Sequence, residues 1–294
     1  MVNLENDLKE FLYYLEFGDQ RSLNSINSIK SDMRQFIDFL IKVESIESLK
    51  DINRFTVKRF IGMEYNKKLS KRSLNRKLST LRLFFKFLLK KDKVITDPTK
   101  LVEFLNFNVE EPNFITLEDI NRIREAIDLN STNGIRDRLM IEMLYSTGIT
   151  SQELLALGEG VFDLDSRKLQ IAAGKNSRVV FFSERVVKYF KEYIKRKKEK
   201  YKEKYSGDIL FVNGSGTRLS DRSLRRIIER YRVKAAITKE VTPYIFRHTF
   251  ILHMIVKGMS TEYLQEILGY TNDEIIKKYK ALSKRKEISA YIVK

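Results

Sequence analysis

TPYIFRHTFILHMIVKG, residues 242–258, reads as one buried helix that sets an arginine and a histidine side by side. Thr242 suits an N-cap and Pro243 the first helical position, while Gly258 suits a C-terminal stop. Between them Ile245, Phe246, Thr249, Phe250, Leu252, His253 and Ile255 offer apolar or semi-apolar surface over much of the helix. Arg247 is therefore a charge held close to a core, and a buried charge needs a partner. That partner is either a protein carboxylate or a ligand anion. His248 and His253, the only two histidines of the chain, both lie in this segment.

Composition narrows the choice. A chain of 294 residues is long for one domain and comfortable for two. Lys and Arg number 56 against 39 Asp and Glu, a formal net charge of +17, and 43% of the residues are hydrophobic. A foldable chain with that surplus of positive charge points to a polyanion, with nucleic acid ahead of a membrane surface. No apolar run approaches the ~18 residues of a membrane span. The opening MVNLENDLKEFLYYLEFGDQ carries acids where a signal peptide carries bases. With no cysteine and two histidines, thiolate and histidine metal sites are both disfavoured. The expectation is a cytoplasmic protein without metal or cofactor.

The first hundred residues follow helical spacing. Ile26, Ile29, Met33, Phe36, Ile37, Leu40 and Ile41 mark one face of a helix from Ser22 to Val43. A second helix runs from about Ser70 to Lys90. At about 100° per residue, Leu74, Leu78, Leu81, Phe85 and Leu88 form a narrow apolar arc. Arg72, Arg76, Lys86 and Lys90 fall opposite, as a solvated face or a DNA-contacting one; the absence of acids before Asp92 favours DNA. Two of the three prolines, Pro98 and Pro112, bracket a segment without periodicity. The expected organisation is a helical domain over 1–98, a linker over 99–114 and a larger domain over 115–294. In the larger domain Thr116-Leu-Glu-Asp119 is a capping box, and helices fit 117–128, 134–146, 151–157, 219–236, 242–257, 260–268 and 272–280. KLQIAAGKNSRVVFF alternates like a β-hairpin with Gly174-Lys175-Asn176 at its turn. The charged helix from Glu184 to about Tyr205 reads as a solvated face. The fold class is mainly α with one small hairpin or sheet.

The opening segment, with MSTEYLQEILGYTNDEIIKKYKAL after it, resembles the C-terminal signature of the tyrosine site-specific recombinases, especially their Xer-like branch. Arg247-His248-Thr249-Phe250 matches the family's Arg-His-Thr-Phe, and Leu268-Gly269-Tyr270 matches its Leu-Gly-His/Trp with a change. Tyr279 stands nine residues beyond Tyr270, at the spacing of the family's nucleophile. YSTGITSQELLAL is similar to the helix bearing the first arginine, AAGKNSRVV to the hairpin bearing the lysine, and the N-terminal helices to the core DNA-binding domain. The resemblance spans nearly the whole chain. It implies a two-domain DNA clamp in which Tyr279 attacks a phosphodiester, Arg247 holds the phosphate and Lys175 protonates the leaving 5′-oxygen. Tyr244 and Tyr270 take the two histidine-type positions. The chemistry asks for no metal or ATP, because bond energy is retained in a 3′-phosphotyrosyl link. The implied partner is double-stranded DNA, bound by four protomers on two sites or together with a related recombinase, with C-terminal segments such as 282–294 exchanged between neighbours. His248 is expected to brace its helix, and His253 to sit satisfied in the core.

One position departs sharply from the pattern. The family's first arginine follows Thr-Gly-hydrophobic, and here Thr147-Gly148-Ile149 is followed by Thr150. Thr150, Tyr244 and Tyr270 all make the pocket less cationic; Arg178, on the same hairpin as Lys175, could swing in to compensate. Two readings follow. The chain is a strand-exchange enzyme, or it is an accessory or architectural DNA-binding protein that keeps the clamp and no longer cuts.

Overall fold

A computed structural model describes residues 2–21, 23–107, 113–172, 177–270 and 274–284. Contacts divide the chain into two compact units, Met1–Glu110 and Glu111–Lys294. Among the described residues no helix is long and apolar enough to cross a membrane.

The first unit holds four helices, α1 (Val2–Tyr13), α2 (Leu23–Lys42), α3 (Arg54–Asn66) and α4 (Lys71–Lys90). Asn53 opens α3 with a capping box, and Ser70 caps α4 by accepting from the Ser73 amide at 3.2 Å. The apolar arc of α4 is buried, with Leu78, Leu81, Phe85 and Leu88 in one core with Phe11, Phe36 and Phe60. Arg72, Arg76, Lys86 and Lys90 are all exposed. A polar knot ties the helices together. Asp32 of α2 accepts from Arg76, from Lys77 at 3.4 Å and from Thr80 at 3.1 Å, and the fully buried Lys77 reaches Glu64 of α3 at 3.2 Å. Residues 99–107 lie along α4: Arg82 donates to the Val102 carbonyl at 2.6 Å, and Asn75 brackets Leu105 with two 2.8 Å bonds. Of the stretch expected to be linker, residues 108–112 lie outside the described residues.

The second unit contains α5 (Leu117–Glu125), α6 (Thr132–Thr147), α7 (Ser151–Ala156), α8 (Glu184–Tyr201), α9 (Asp221–Lys234), α10 (Pro243–Val256), α11 (Thr261–Leu268) and α12 (Glu274–Ser283). Helix α6 is buried over most of its circumference and packs against α8 and α10. The sheet is antiparallel, in the order β1 (Phe162–Asp163), β2 (Lys168–Ile171), β3 (Arg178–Phe181), with Leu169 opposite Val180. β1 is two residues long, too short to show as alternation in the sequence. The turn residues Gly174, Lys175 and Asn176 lie outside the described residues. Helix α8 differs from the solvated face expected of it, for Val186, Tyr189, Phe190 and Tyr193 enter the core. Its Lys197 is also buried, donating to Glu159 at 2.7 Å and to the carbonyls of Ser206 and Ile209. The basic stretch thus hides an apolar stripe at helical spacing beneath its charges.

Candidate active site

Helix α10 sets the geometry. Thr242 caps it by accepting from the Ile245 amide at 3.3 Å, with Pro243 in the first turn. That start point turns Arg247, 5% exposed, inward between α6 and α11. Its guanidinium is held entirely by neutral acceptors: Nη1 donates to the Gly148 carbonyl at 2.7 Å, Nη2 to the Leu268 carbonyl at 2.8 Å, and Nε to the Tyr270 hydroxyl at 3.1 Å. No carboxylate pairs with it among the described residues, so its charge is oriented without being cancelled. Gly148 makes this possible. It adopts φ +64°, and a Cβ there would lie 2.4 Å from Phe250 Cδ1, so glycine alone lets the α6 terminus approach α10 closely.

The three candidate tyrosines stand around the same helix. Tyr270 contacts the guanidinium through both its hydroxyl and its ring, whose centroid is 4.7 Å from Arg247 Cζ. Tyr279 is 2% exposed, packed with Phe250, Leu264 and Ile276, and its Oη has no hydrogen-bond partner among the described residues. Its ring lies 5.5 Å from that of His248. Tyr244 is 57% exposed and meets His248 edge-on at 4.0 Å. His248 therefore joins the two tyrosines, bracing α10 from between them. Lys175 lies outside the described residues.

Thr150 has a definite local task. It is the N-cap of α7: its hydroxyl accepts from the Glu153 amide at 3.3 Å, and Glu153 Oε2 accepts from the Thr150 amide at 2.8 Å. The sequence Thr-Ser-Gln-Glu already spells this capping box. Glu153 also receives Arg178, with Nη1 at 2.6 Å and Nη2 at 2.9 Å. Burial pushes the Glu153 carboxyl up, but Arg178 and the Thr150 hydrogen bonds together hold it below the ordinary carboxylate range. Glu153 is the site residue that sequence reasoning passed over, although the capping-box spacing marked it.

Burial, with Arg247 beside it, pushes His248 down to about 4; burial, with Lys257 nearby, pushes His253 down to about 4. His253 is 1% exposed and its Nδ1 is 3.0 Å from the Tyr145 hydroxyl. Both imidazoles are neutral at pH 7 in the folded chain. Unfolded, each takes up a proton near its usual 6.5. Their contribution to stability is therefore full above that value and drains away as the pH falls toward about 4. Each histidine adds a slope of up to about 1.4 kcal/mol per pH unit in that window. Melting curves at pH 7 and pH 5 should show a smaller loss for His253→Gln than for the parent chain; equal losses would contradict the assignment.

Of Arg72, Arg76, Lys86 and Lys90, Arg76 alone is ion-paired among the described residues, to Asp32, and it also donates to Ser28 at 2.7 Å. Lys90 lies over the Tyr14 ring at 5.8 Å. Arg72 and Lys86 project from the exposed face.

Comparison with known proteins places these features. Residues 113–286 match the phage integrase family, and residues 8–92 match the phage integrase N-terminal SAM-like domain. Tyrosine recombinase XerD of Staphylococcus saprophyticus is 28% identical over 282 residues, covering 96% of this chain and 95% of the relative. XerD of Staphylococcus aureus is likewise 28% identical over 282 residues, with the same coverage of 96% and 95%. Among solved structures, XerH recombinase in a post-cleavage complex with its difH substrate superposes with a TM-score of 0.74 at 21% identity, covering 96% of this chain and 82% of that one. The Tn1549 transposon integrase bound to a circular-intermediate DNA gives a TM-score of 0.74 at 19% identity, covering 97% and 98%.

Proposed function

The chain belongs to the phage integrase family, and from that premise we propose that it cuts and rejoins duplex DNA at specific sites through a 3′-phosphotyrosyl intermediate. The observation that carries the reading is the state of Arg247: a buried guanidinium, fixed by three neutral acceptors and left with uncancelled charge. A phosphodiester is a fitting anion for it, since the rigid fork can meet two non-bridging oxygens. Tyr279 Oη forms the new bond to phosphorus, its proton passing to water, while the bond from phosphorus to O5′ breaks. Lys175, at the hairpin turn, supplies the proton to O5′. Tyr270, already bonded to Arg247, and Tyr244 offer hydroxyls in place of imidazoles. With its Oη enclosed, Tyr279 is docked rather than presented, so DNA binding has to expose it for attack.

Both units bind DNA, and four copies assemble on two sites or pair with a related recombinase. Residues 285–294, within the segment expected to be exchanged between copies, lie outside the described residues. We place the protein's action in the cytoplasm, a reading supported by a basic chain free of cysteine. One observation favours the second reading, an accessory binder: Thr150 caps a helix and brings no charge.

Duplexes selected by binding from a randomised pool, then nicked beside the candidate scissile phosphate, test the proposal. An adduct stable in detergent is expected; tight binding without any adduct would leave the accessory reading in its place. Binding itself should fall steeply with salt. Arg72→Ala and Lys86→Ala should each lower the slope of log affinity against log salt by about 1. Arg76→Ala should instead act mainly on stability, because it removes one of the partners of buried Asp32. Slopes unchanged in Arg72→Ala and Lys86→Ala would remove α4 from the DNA surface.

A further inference from the structure

We propose that Arg178 supplies the pocket's second phosphate-binding guanidinium, in place of the arginine missing at position 150; the inference rests on the recombinase reading above. Arg178 opens β3 and is 9% exposed. Its Nε donates to the Ile267 carbonyl at 2.6 Å, and Arg247 Nη2 donates to the next carbonyl, Leu268, at 2.8 Å. Two guanidiniums from different elements thus dock on consecutive carbonyls at the C-terminal end of α11, where the helix dipole favours positive charge.

The same guanidinium lies close to the backbone of Thr150. Glu153 Oε2 lies 2.8 Å from the Thr150 amide and 2.9 Å from Arg178 Nη2, so a single carboxylate oxygen separates the two. Gly269 gives it room: at φ +68°, a Cβ on this residue would stand 3.3 Å from Arg178 Cδ. Arginine carries five N–H donors. Among the described residues Arg178 uses three, on Ile267 and the two oxygens of Glu153, and Arg247 likewise uses three. Each has two left to offer a phosphate.

Glu153 cancels much of the net charge of Arg178 and fixes the direction of its fork. Arg178 therefore acts as an aimed donor more than as a source of long-range attraction. Its loss should slow cleavage far more than it weakens DNA binding. A clamp that merely holds β3, α7 and α11 together makes the opposite prediction, since it gives no reason for the loss to depend on the charge of the scissile phosphate.

The test compares nicked substrates whose scissile phosphate is either the natural diester or a methylphosphonate, which is neutral and has no need of a second cation. Truncating Arg178 strands a half-buried carboxylate, so Arg178→Ala is made in the Glu153→Gln background, with Glu153→Gln alone as reference and melting curves as the control for folding. On the diester, Arg178→Ala should lower the rate of adduct formation by on the order of 10²–10³, with affinity nearly unchanged. On the methylphosphonate that deficit should largely vanish. An equal deficit on both substrates, or none on either, overturns the proposal while leaving the recombinase reading intact. So does a parent chain that cleaves the methylphosphonate but not the diester, because its pocket would then lack the second cation. A parent inert on both substrates overturns the recombinase reading, and this inference with it.

Discussion

Arg247→Ala should lower the rate of strand cleavage by on the order of 10²–10³, the scale set by removing one preorganised donor from a charged transition state. The case is stronger here than for a surface arginine. Its acceptors, the Gly148 and Leu268 carbonyls and the Tyr270 hydroxyl, are neutral. A side chain buried to 5% exposure, with no carboxylate paired to it among the described residues, gains most when an anion arrives. The substitution also strands those carbonyls, at about 1–3 kcal/mol for each that stays buried and unbonded. Stability and catalysis must therefore be read separately. Arg247→Lys keeps the charge and loses the planar fork, so it should still bind DNA while cleaving slowly. Single-turnover adduct formation beside a melting curve checks both effects. A folded Arg247→Ala variant cleaving at the parent rate would remove this residue from the reaction.

Tyr279→Phe produces the largest separation between function and stability. It should abolish the covalent intermediate outright, because phenylalanine has no oxygen to attack phosphorus. Yet Tyr279 Oη is buried without a hydrogen-bond partner among the described residues, and removing an unsatisfied buried hydroxyl relieves a desolvation penalty of about 1–3 kcal/mol. The ring stays, along with its packing against His248 and the core around Ile276. The variant should thus melt at or above the parent temperature while making no adduct. A marked fall in stability would show that the hydroxyl has a structural partner in solution, and that the tyrosine is placed for packing.

How much of this was legible beforehand depends on the scale of the signal. The long helices announced themselves through apolar spacing: Ser70 to Lys90 reads as a helix, and α4 runs Lys71–Lys90 with Ser70 as its cap. The charged helix after Glu184 reads as a solvated face because charges of both signs along its length mask the buried Val186, Tyr189, Phe190 and Tyr193. β1, with two residues, is held by tertiary context and leaves no periodic trace. At the site, Arg247 could be recognised as a core-facing charge, but its partners could not. Backbone carbonyls have no identity in a sequence, and Gly148 and Leu268 come from the C-terminal ends of two other helices. Thr150 drew attention as a missing charge, while its second meaning, the first residue of Thr-Ser-Gln-Glu, went unused. That box positions Glu153, and Glu153 positions Arg178. On α4, Arg72, Arg76, Lys86 and Lys90 look alike in the sequence; only the fold reveals that Asp32 engages Arg76.

The most direct test of the account is to digest the adduct formed on a nicked duplex and identify the peptide that carries the phosphorylated residue. The chain has 14 tyrosines. The account predicts a phosphotyrosyl bond on Tyr279 and on no other. A bond on a different tyrosine, or on a serine or lysine, would contradict it, because the pocket built around Arg247 would then not be where the DNA is cut.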